Sequence, residues 1–357
     1  MVPGGGDDAP HSPTWRAVTP VGRRVVALRA RRGAGLRAQR AAARRRWTAA
    51  LVRRVAPVVT DIGFAAGWRV VRSLPEPVAR SASRLAADRA ASRGGPGVHR
   101  LRDNLRRVVP DAGPDELDAL VRAGLRSYAR YWCEAFRLPS MDRAAVLARM
   151  DPHVTGMAPL FEALDQGRGV VVALPHSGNW DLAGLWFVAT QARLGRPARF
   201  TTVVERLHPE SLFRRFVAFR EALGFEVLAA GDGAQVYRTL TRRLRDGGLV
   251  CLVADRDLGA SGVEVALFGE PARLPTGPAR LAAATGALLL PAFPHFTPDG
   301  WGAVIGDPIP VPARASRHDV VKATQAVADA FTEMITAAPH DWHMLQRVFT
   351  ADLGGVT

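Results

Sequence analysis

Short apolar runs alternate with amphipathic segments through the second half of the chain. The runs are typical of buried strands, and the segments between them repeat apolar residues at helical spacing. The pairs are GVVVAL with DLAGLWFVATQA, RFTTVV with PESLFRRFVAFREAL, and FEVLAA with AQVYRTLTRRLRD, followed by LVCLVA. This alternation predicts crossover units on a largely parallel sheet. Further strands are predicted at VEVALF, ALLLPAF and GAVIG, and a last helix over about 317–337.

The region before this alternation has a different texture. Helical patterns cover about 58–90, 97–109 and 114–136, whereas residues 1–20 are rich in Gly, Pro and Asp and predict disorder. The predicted fold class is therefore α/β, with a central, mostly parallel sheet flanked by helices and preceded by N-terminal helices. We expect two parts, a basic N-terminal arm over residues 1–56 and one folded domain over residues 57–357.

The charge of the chain is concentrated in that arm. The net charge of the 357 residues is +15, and residues 1–54 contain thirteen arginines against Asp7 and Asp8. Because Val, Leu and Trp47 are interspersed among these arginines, the arm predicts a basic amphipathic helix that lies on an anionic membrane. A solvated tail is the alternative. Nucleic acid is not an expected partner, since no recognised binding module accompanies the charge.

Several classes of protein lose support because their sequence signatures are missing. The chain has no run of 18 apolar residues and no apolar N-terminal signal. We therefore expect no transmembrane helix and no secretion. Its two cysteines, Cys133 and Cys251, lie in apolar surroundings and predict inert thiols in a reducing compartment. It lacks the G-x-x-x-x-G-K-[ST], G-x-G-x-x-G and G-x-S-x-G motifs and any Cys/His metal spacing. Nucleotide hydrolysis, hydride transfer, a serine acyl-enzyme and a metal site are therefore not expected.

The stretch VVVALPHSGNWDLAG carries the candidate chemistry. Pro175 ends a predicted strand and Asn179 is a plausible helix N-cap, so His176 lies at the carboxyl end of a strand, where open α/β sheets bind ligands. Asp181 is predicted to accept a hydrogen bond from one nitrogen of the imidazole. The other nitrogen is then free to remove a proton from a substrate hydroxyl. The alternative is a turn histidine with a structural role.

The residues HSGNWD also fit the H-x4-D signature of the glycerolipid acyltransferase superfamily. Over nearly 300 residues the chain resembles the phosphatidylinositol mannoside acyltransferases, which are relatives of the lipid A acyltransferases. The resemblance rests on VTDIGFAAGWRVVRSLPE, SYARYWCEAFRLPSMD, LPHSGNWDLAG, VVERLHPESLFRRFVAFREALGFEVL, RDLGASGVEVALFGEPARLPTGPARLA and PHDWHMLQ.

This resemblance implies a glycerolipid acyltransferase-like fold and transfer of a long acyl chain, typically palmitoyl, from acyl-CoA to a mannose hydroxyl. Acyl-CoA is then a co-substrate, and no cofactor or metal is expected. The resemblance makes His176 the general base and Asp181 its partner in the signature. It assigns substrate contacts to Glu205, Arg220 and Ser261. A third catalytic position holds Asp255 where the family usually has Glu, and the shorter side chain puts its reach toward His176 in question.

The partners implied by the resemblance are acyl-CoA, a mannosylated phosphatidylinositol and a membrane surface. We therefore expect a peripheral protein at the cytoplasmic face of the plasma membrane. Two alternatives stay open at this point. One is a lysophospholipid or lipid A-type acyltransferase with another acceptor, and the other is a non-catalytic lipid-binding homologue in which Asp255 marks the loss of activity.

Overall fold

A seven-stranded sheet forms the centre of the part of the chain that the structure describes. The structure is a computed structural model, and it describes residue 67 and residues 69–206, 210–231, 233–257 and 262–353. The strand order is β1-β9-β8-β2-β5-β3-β4. The strands are β1 (Val154–Thr155), β2 (Val170–Leu174), β3 (Phe200–Val204), β4 (Phe225–Ala229), β5 (Leu249–Val253), β8 (Leu288–Phe296) and β9 (Trp301–Ile305).

Five neighbouring strands of this sheet, from β8 to β4, are parallel. Strand β9 runs antiparallel to β8, and the short β1 is parallel to β9. A separate antiparallel hairpin is formed by β6 (Val263–Leu267) and β7 (Glu270–Leu274). Because the carboxyl ends of β2, β3, β4 and β5 meet at one edge, residues that follow these strands come together there.

The α-helices complete the described fold. They are α1 (Glu76–Arg93), α2 (Pro96–Val108), α3 (Pro114–Arg137), α4 (Arg143–Met150), α5 (Ala158–Asp165), α6 (Trp180–Arg193), α7 (Glu210–Glu221), α8 (Gly233–Arg245), α9 (Gly277–Thr285), α10 (Arg317–Ala337) and α11 (Thr350–Leu353). Helix α10 begins with a capping box, in which Ser316 and Asp319 each accept a hydrogen bond from the other's backbone N–H. No helix among the described residues is both long enough and apolar enough to span a bilayer.

The two faces of the sheet bury separate apolar cores, because successive side chains of a strand point to opposite faces. On β2, Val171 and Ala173 pack in one core with side chains of α8, α9 and α10. Val170, Val172 and Leu174 pack in the other core, with side chains of α4, α5 and α6. All five of these β2 residues are buried, so the strand is covered on both faces as a central parallel strand requires.

The N-terminal helices α1, α2 and α3 bury a third, smaller core of their own, made of Ala87, Leu101, Leu105, Leu117, Val121 and Leu125. Asp88 joins α1 to α3, since Arg126 donates to both of its carboxylate oxygens at 2.6 and 2.8 Å. Asn104 on α2 donates to the backbone carbonyls of Met344 and Gln346 at 2.8 and 2.9 Å. The N-terminal helices are thereby bound to the C-terminal segment, which reaches the carboxyl edge of the sheet.

The structure confirms the predicted fold class. The strand and helix pairs from GVVVAL to LVCLVA occur in the predicted order, and the predicted last helix coincides with α10. The N-terminal helical patterns correspond to α1, α2 and α3, while residues 58–66 lie outside the described residues, as does the predicted arm over residues 1–56. The predicted strand VEVALF occurs as β6, but it does not add to the main sheet. It pairs instead with β7, a strand that the pattern did not predict.

Candidate active site

His176 and Asp255 leave neighbouring parallel strands at the same level of the sheet. Leu174 and Val253 are register partners at the ends of β2 and β5. His176 lies two positions after Leu174, and Asp255 lies two positions after Val253. Nδ1 of His176 lies 2.7 Å from Oδ1 of Asp255, and the backbone N–H of His176 donates to Oδ2 at 2.9 Å. The aspartate therefore reaches the imidazole despite its short side chain, and Nε2 of the ring is not engaged by it.

The predicted hydrogen bond between His176 and Asp181 is wrong. Asp181 is fully buried, and its carboxylate accepts from Nε of Arg220 at 2.9 Å and from the Tyr131 hydroxyl at 3.2 Å. The reason is local, since Asn179 caps helix α6 by accepting from the N–H of Leu182. Asp181 thus lies in the first helical turn and bonds to residues of α3 and α7, whereas the imidazole in the preceding turn bonds to the neighbouring strand's aspartate.

The turn between His176 and α6 depends on Gly178. Its φ of +50° lies in the left-handed region, and a Cβ at this position would come within 2.5 Å of the carbonyl oxygen of Pro294. Any other residue would therefore combine backbone strain with a steric clash. The turn that holds His176 at the edge of the sheet requires glycine.

A C-terminal segment packs against this turn. It belongs to the block PHDWHMLQ that contributes to the family resemblance, but the hydrophobic pattern did not place it here. The backbone N–H of Gly178 donates to the carbonyl of Asp341 at 3.0 Å, and the N–H of His343 donates to the carbonyl of His176 at 2.7 Å. Between these two bonds, Nε1 of the fully buried Trp342 donates to Oδ2 of Asp255 at 2.9 Å. The carboxylate of Asp255 therefore has three donors that hold it in place.

The charges of the pair shift both pKa values in the direction that stabilises an ion pair. The recessed position of His176 opposes protonation, but the negative charge and hydrogen bond of Asp255 outweigh this and hold the pKa of His176 above its ordinary value. Burial raises the pKa of Asp255, yet the charge of His176 and the hydrogen bonds from His176 and Trp342 outweigh burial and lower it. Asp255 is therefore ionised at neutral pH, which strengthens the imidazole as a proton acceptor.

His176 opens onto a cavity of about 510 Å³, which we call the main cavity. The His176 side chain is 40% exposed, so a substrate can reach its ring. Polar side chains such as Glu205 and Arg256 line part of the cavity, and many of its other walls are apolar, including side chains of α8, α9 and β5: Val236, Leu240, Leu252, Val253 and Leu281. A cavity with apolar walls and a few convergent polar groups is the usual form of a small-molecule site.

Glu205 and Arg220 both line the main cavity, as their predicted substrate contacts require. Glu205 follows β3 directly, its side chain is 59% exposed, and it pairs with Arg256 at 3.4 Å. Arg220 is buried, with its guanidinium bound to Asp181 and lying 4.1 Å from the centre of the Trp180 ring. Their contacts with substrate stay predictions, and Ser261 lies outside the described residues.

A second cavity of about 80 Å³ lies beside the first, and its lining is almost entirely apolar. Trp180, Thr202 and Val253 line both cavities. Cys251 also faces the smaller one, and burial raises the pKa of its thiol to about 12. Because the thiolate is the nucleophilic form, this thiol is unreactive at neutral pH.

His343 also lines the main cavity, but its pKa is shifted in the opposite direction from that of His176. Its Nε2 is 2.8 Å from Oγ of Ser127, which donates to Asp341 at 2.6 Å. Burial and the nearby charge of His176 lower the pKa of His343 to about 3. The ring is thus a much weaker proton acceptor than His176.

Across the described residues, no group of three His, Cys, Asp or Glu side chains is placed to hold a metal ion.

Comparison with known proteins gives a consistent result. A family model described as bacterial lipid A biosynthesis acyltransferase matches residues 53–351. A protein of Mycolicibacterium smegmatis named phosphatidylinositol mannoside acyltransferase is 50% identical over 296 residues, which cover 83% of this chain and 93% of that protein. A Mycobacterium tuberculosis protein of the same name is 47% identical over 303 residues, covering 84% of this chain and 91% of its own length.

Proposed function

The chain belongs to the bacterial lipid A biosynthesis acyltransferase family, and we propose that it transfers a palmitoyl group from acyl-CoA to a mannose hydroxyl of phosphatidylinositol mannoside. The names of its mycobacterial relatives support the acceptor. The observation that carries the chemistry is the hydrogen-bonded pair of His176 and Asp255 at the wall of the main cavity.

In the proposed mechanism His176 is the general base. Asp255 accepts from Nδ1–H, which fixes the tautomer and leaves the lone pair of Nε2 to take the proton of the acceptor hydroxyl. The resulting oxygen nucleophile attacks the carbonyl carbon of the thioester directly. The protonated imidazole, stabilised by the ionised Asp255, then returns the proton to the departing thiolate of CoA.

The shape of the site supports a donor with a fatty chain. The apolar side of the main cavity and the adjoining apolar cavity offer surfaces for an acyl chain, and the polar groups around His176 offer hydrogen bonds to a sugar. Direct transfer requires both substrates in the site together, and a volume of about 510 Å³ gives room for the two reacting groups. The high pKa of the Cys251 thiol also argues against an acyl-cysteine intermediate.

The membrane surface and the cytoplasmic face of the plasma membrane are part of the same proposal. Phosphatidylinositol mannoside is a membrane lipid, so the enzyme must reach it from the surface of the bilayer, and acyl-CoA is an intracellular donor. The thirteen arginines of residues 1–54 suit an anionic membrane surface, since each adjacent basic residue contributes attraction to acidic lipids.

Release of free thiol tests this function. Purified protein is mixed with palmitoyl-CoA, and CoA is followed with and without phosphatidylinositol mannoside in detergent micelles. We expect CoA release that depends on the acceptor, together with an acylated mannolipid detected by mass spectrometry. Release that depends instead on a lysophospholipid or a lipid A precursor would reassign the acceptor. If none of these lipids causes CoA release, the proposed acyltransferase activity is refuted.

Asp255→Asn provides a prediction for the partner of the base. Asparagine has no negative charge, so the pKa of His176 falls and the acid limb of the pH–rate profile moves to lower pH. The rate on the plateau also falls, but by less than the roughly 10²–10⁴-fold that loss of the base itself costs, because the imidazole becomes weaker and less well oriented. The measurement is kcat/KM for CoA release from pH 5 to 9.

Asp255→Glu is the matched control, since it keeps the carboxylate that the family usually carries at this position. Its acid limb stays near that of the wild-type enzyme, even if the longer side chain reduces the rate. An acid limb in the Asn variant that coincides with the wild-type one would show that Asp255 does not set the pKa of His176.

A further inference from the structure

Arg256 is a cationic residue that lines the main cavity and takes no part in the proton transfer between His176 and the substrates. It follows Asp255 directly at the carboxyl end of β5 and lines the cavity together with His176 and Glu205. Its side chain is only 16% exposed, and its Nε is buried. A charged group in such a position needs compensating partners, because desolvation of an ion is costly.

The described structure gives Arg256 less compensation than this burial requires. Its Nη2 lies 3.4 Å from Oε2 of Glu205, which is long for a charge-assisted hydrogen bond, and the glutamate side chain is itself largely exposed. Nε of Arg256 is buried and has no hydrogen-bond partner among the described residues. An unpaired buried donor is rare in a native fold, and a functional role of its side chain toward a bound ligand is one explanation for it.

The other cationic groups of the cavity are already neutralised. Arg220 donates through Nε to Asp181 at 2.9 Å, so its charge balances a buried carboxylate. His343 is uncharged at neutral pH, since its pKa is about 3. The backbone N–H groups of His176 and Gly178, which lead into helix α6, donate to Asp255 and to the Asp341 carbonyl. Among the described lining groups, Arg256 is therefore the cation whose partner, Glu205, is distant and largely exposed and whose Nε has no hydrogen-bond partner.

Arg256 also lies near the base. Its positive charge is close enough to His176 to disfavour protonation of the imidazole, whereas the charge of Glu205 acts in the opposite direction. Arg256 lines the same cavity as His176, and the residue before it, Asp255, bonds to the imidazole. Acyl transfer needs a donor such as the Arg256 guanidinium, because the attacked carbonyl oxygen becomes an anion.

We propose that Arg256 donates to the oxyanion of the tetrahedral intermediate. This inference rests on the proposed function. The acceptor oxygen forms a bond to the thioester carbon while Nε2 of His176 takes its proton, and the carbonyl π electrons move to the oxygen that faces Arg256. When the intermediate collapses, the carbonyl re-forms, the C–S bond breaks, and the thiolate takes the proton from His176. The exposed Glu205 is free to turn away as the oxyanion replaces it as partner of the guanidinium.

The test compares two donors in the Arg256→Gln variant of the full chain. One donor is palmitoyl-CoA, and the other is an acyl N-acetylcysteamine thioester, which has no phosphate group. We expect kcat/KM to fall by about 10²–10³-fold with both donors, because one oxyanion donor is removed. Arg256→Lys, which keeps the charge, regains part of the rate, and added guanidinium ion restores part of the activity of Arg256→Gln.

Arg243→Gln is the matched control, since Arg243 forms an ion pair with Glu226 at 2.6 Å and does not line the main cavity. Its rates with both donors stay at the wild-type level. A wild-type rate in Arg256→Gln would overturn the assignment. So would a loss seen with palmitoyl-CoA alone, which would make Arg256 a phosphate contact. If Arg256→Gln does not fold, the Lys variant decides by the same comparison. Inactivity of the wild-type protein with both donors would instead refute the proposed function.

Discussion

His176→Ala is expected to lower kcat/KM for acyl transfer by roughly 10²–10⁴-fold, the contribution usually made by a positioned general base. The fold is expected to survive, because the ring faces a cavity and belongs to none of the three apolar cores. Asp255 stays bound to the backbone N–H of residue 176 and to Nε1 of Trp342, so its buried charge keeps two donors. The rate is measured by CoA release, and folding by circular dichroism and urea unfolding.

His153→Ala is a suitable control, since His153 is exposed and does not line the main cavity. It should keep wild-type activity and stability. A His176→Ala variant that folds and retains the wild-type rate would refute the assignment of the base. A variant that does not unfold cooperatively would show that the imidazole supports the structure, in contrast to what its position in the cavity indicates.

Arg220→Met is expected to reduce the free energy of unfolding by about 3–5 kcal/mol, because it leaves the charge of a buried carboxylate uncompensated. Asp181 is 0% exposed, and without Arg220 its carboxylate keeps the hydrogen bond from the Tyr131 hydroxyl at 3.2 Å. Since domains of this kind are stable by about 5–15 kcal/mol, such a loss is a large part of the total. Urea unfolding followed by tryptophan fluorescence measures it.

The double variant Asp181→Asn/Arg220→Met separates the loss of the pair from the loss of packing. It should be more stable than Arg220→Met alone, because the unpaired charge has been removed. Arg206→Ala is the surface control: Arg206 pairs with Glu210 at 3.0 Å in solvent and should show no measurable change. Equal stability of Arg220→Met and the wild-type protein would show that Asp181 does not depend on the arginine.

The alternation of apolar runs and amphipathic segments was sufficient to predict the parallel sheet and the place of His176. Each run was short, and the run of β2 lies between Gly169 and Pro175, so the end of that strand was visible and His176 follows it by two positions. The partner of His176 was not predictable in the same way. Asp255 reaches the ring because β5 lies next to β2, whereas β3 and β4 come between them in the chain. The order of strands across a sheet is set by long-range packing, which a local pattern does not record.

The position of Asp181 shows that residue spacing alone does not identify the partner of a side chain. A separation of five residues allowed it to face His176, but the helix begins at Trp180 and places Asp181 against Tyr131 and Arg220. These partners are 50 and 39 positions away, and no spacing rule connects them. Trp342 lies outside helices and strands, so its bond to Asp255 had no periodic signal.

The titration of His176 tests the account most directly. NMR of the protein labelled with ¹⁵N in its histidine rings gives the pKa of His176, and CoA release gives the pH dependence of kcat/KM. Because the neutral ring is the base and its pKa is raised, activity should be lost as the pH falls, with a midpoint above 6.5 that coincides with the ring's titration. An activity that does not change across the titration of His176 would contradict the account.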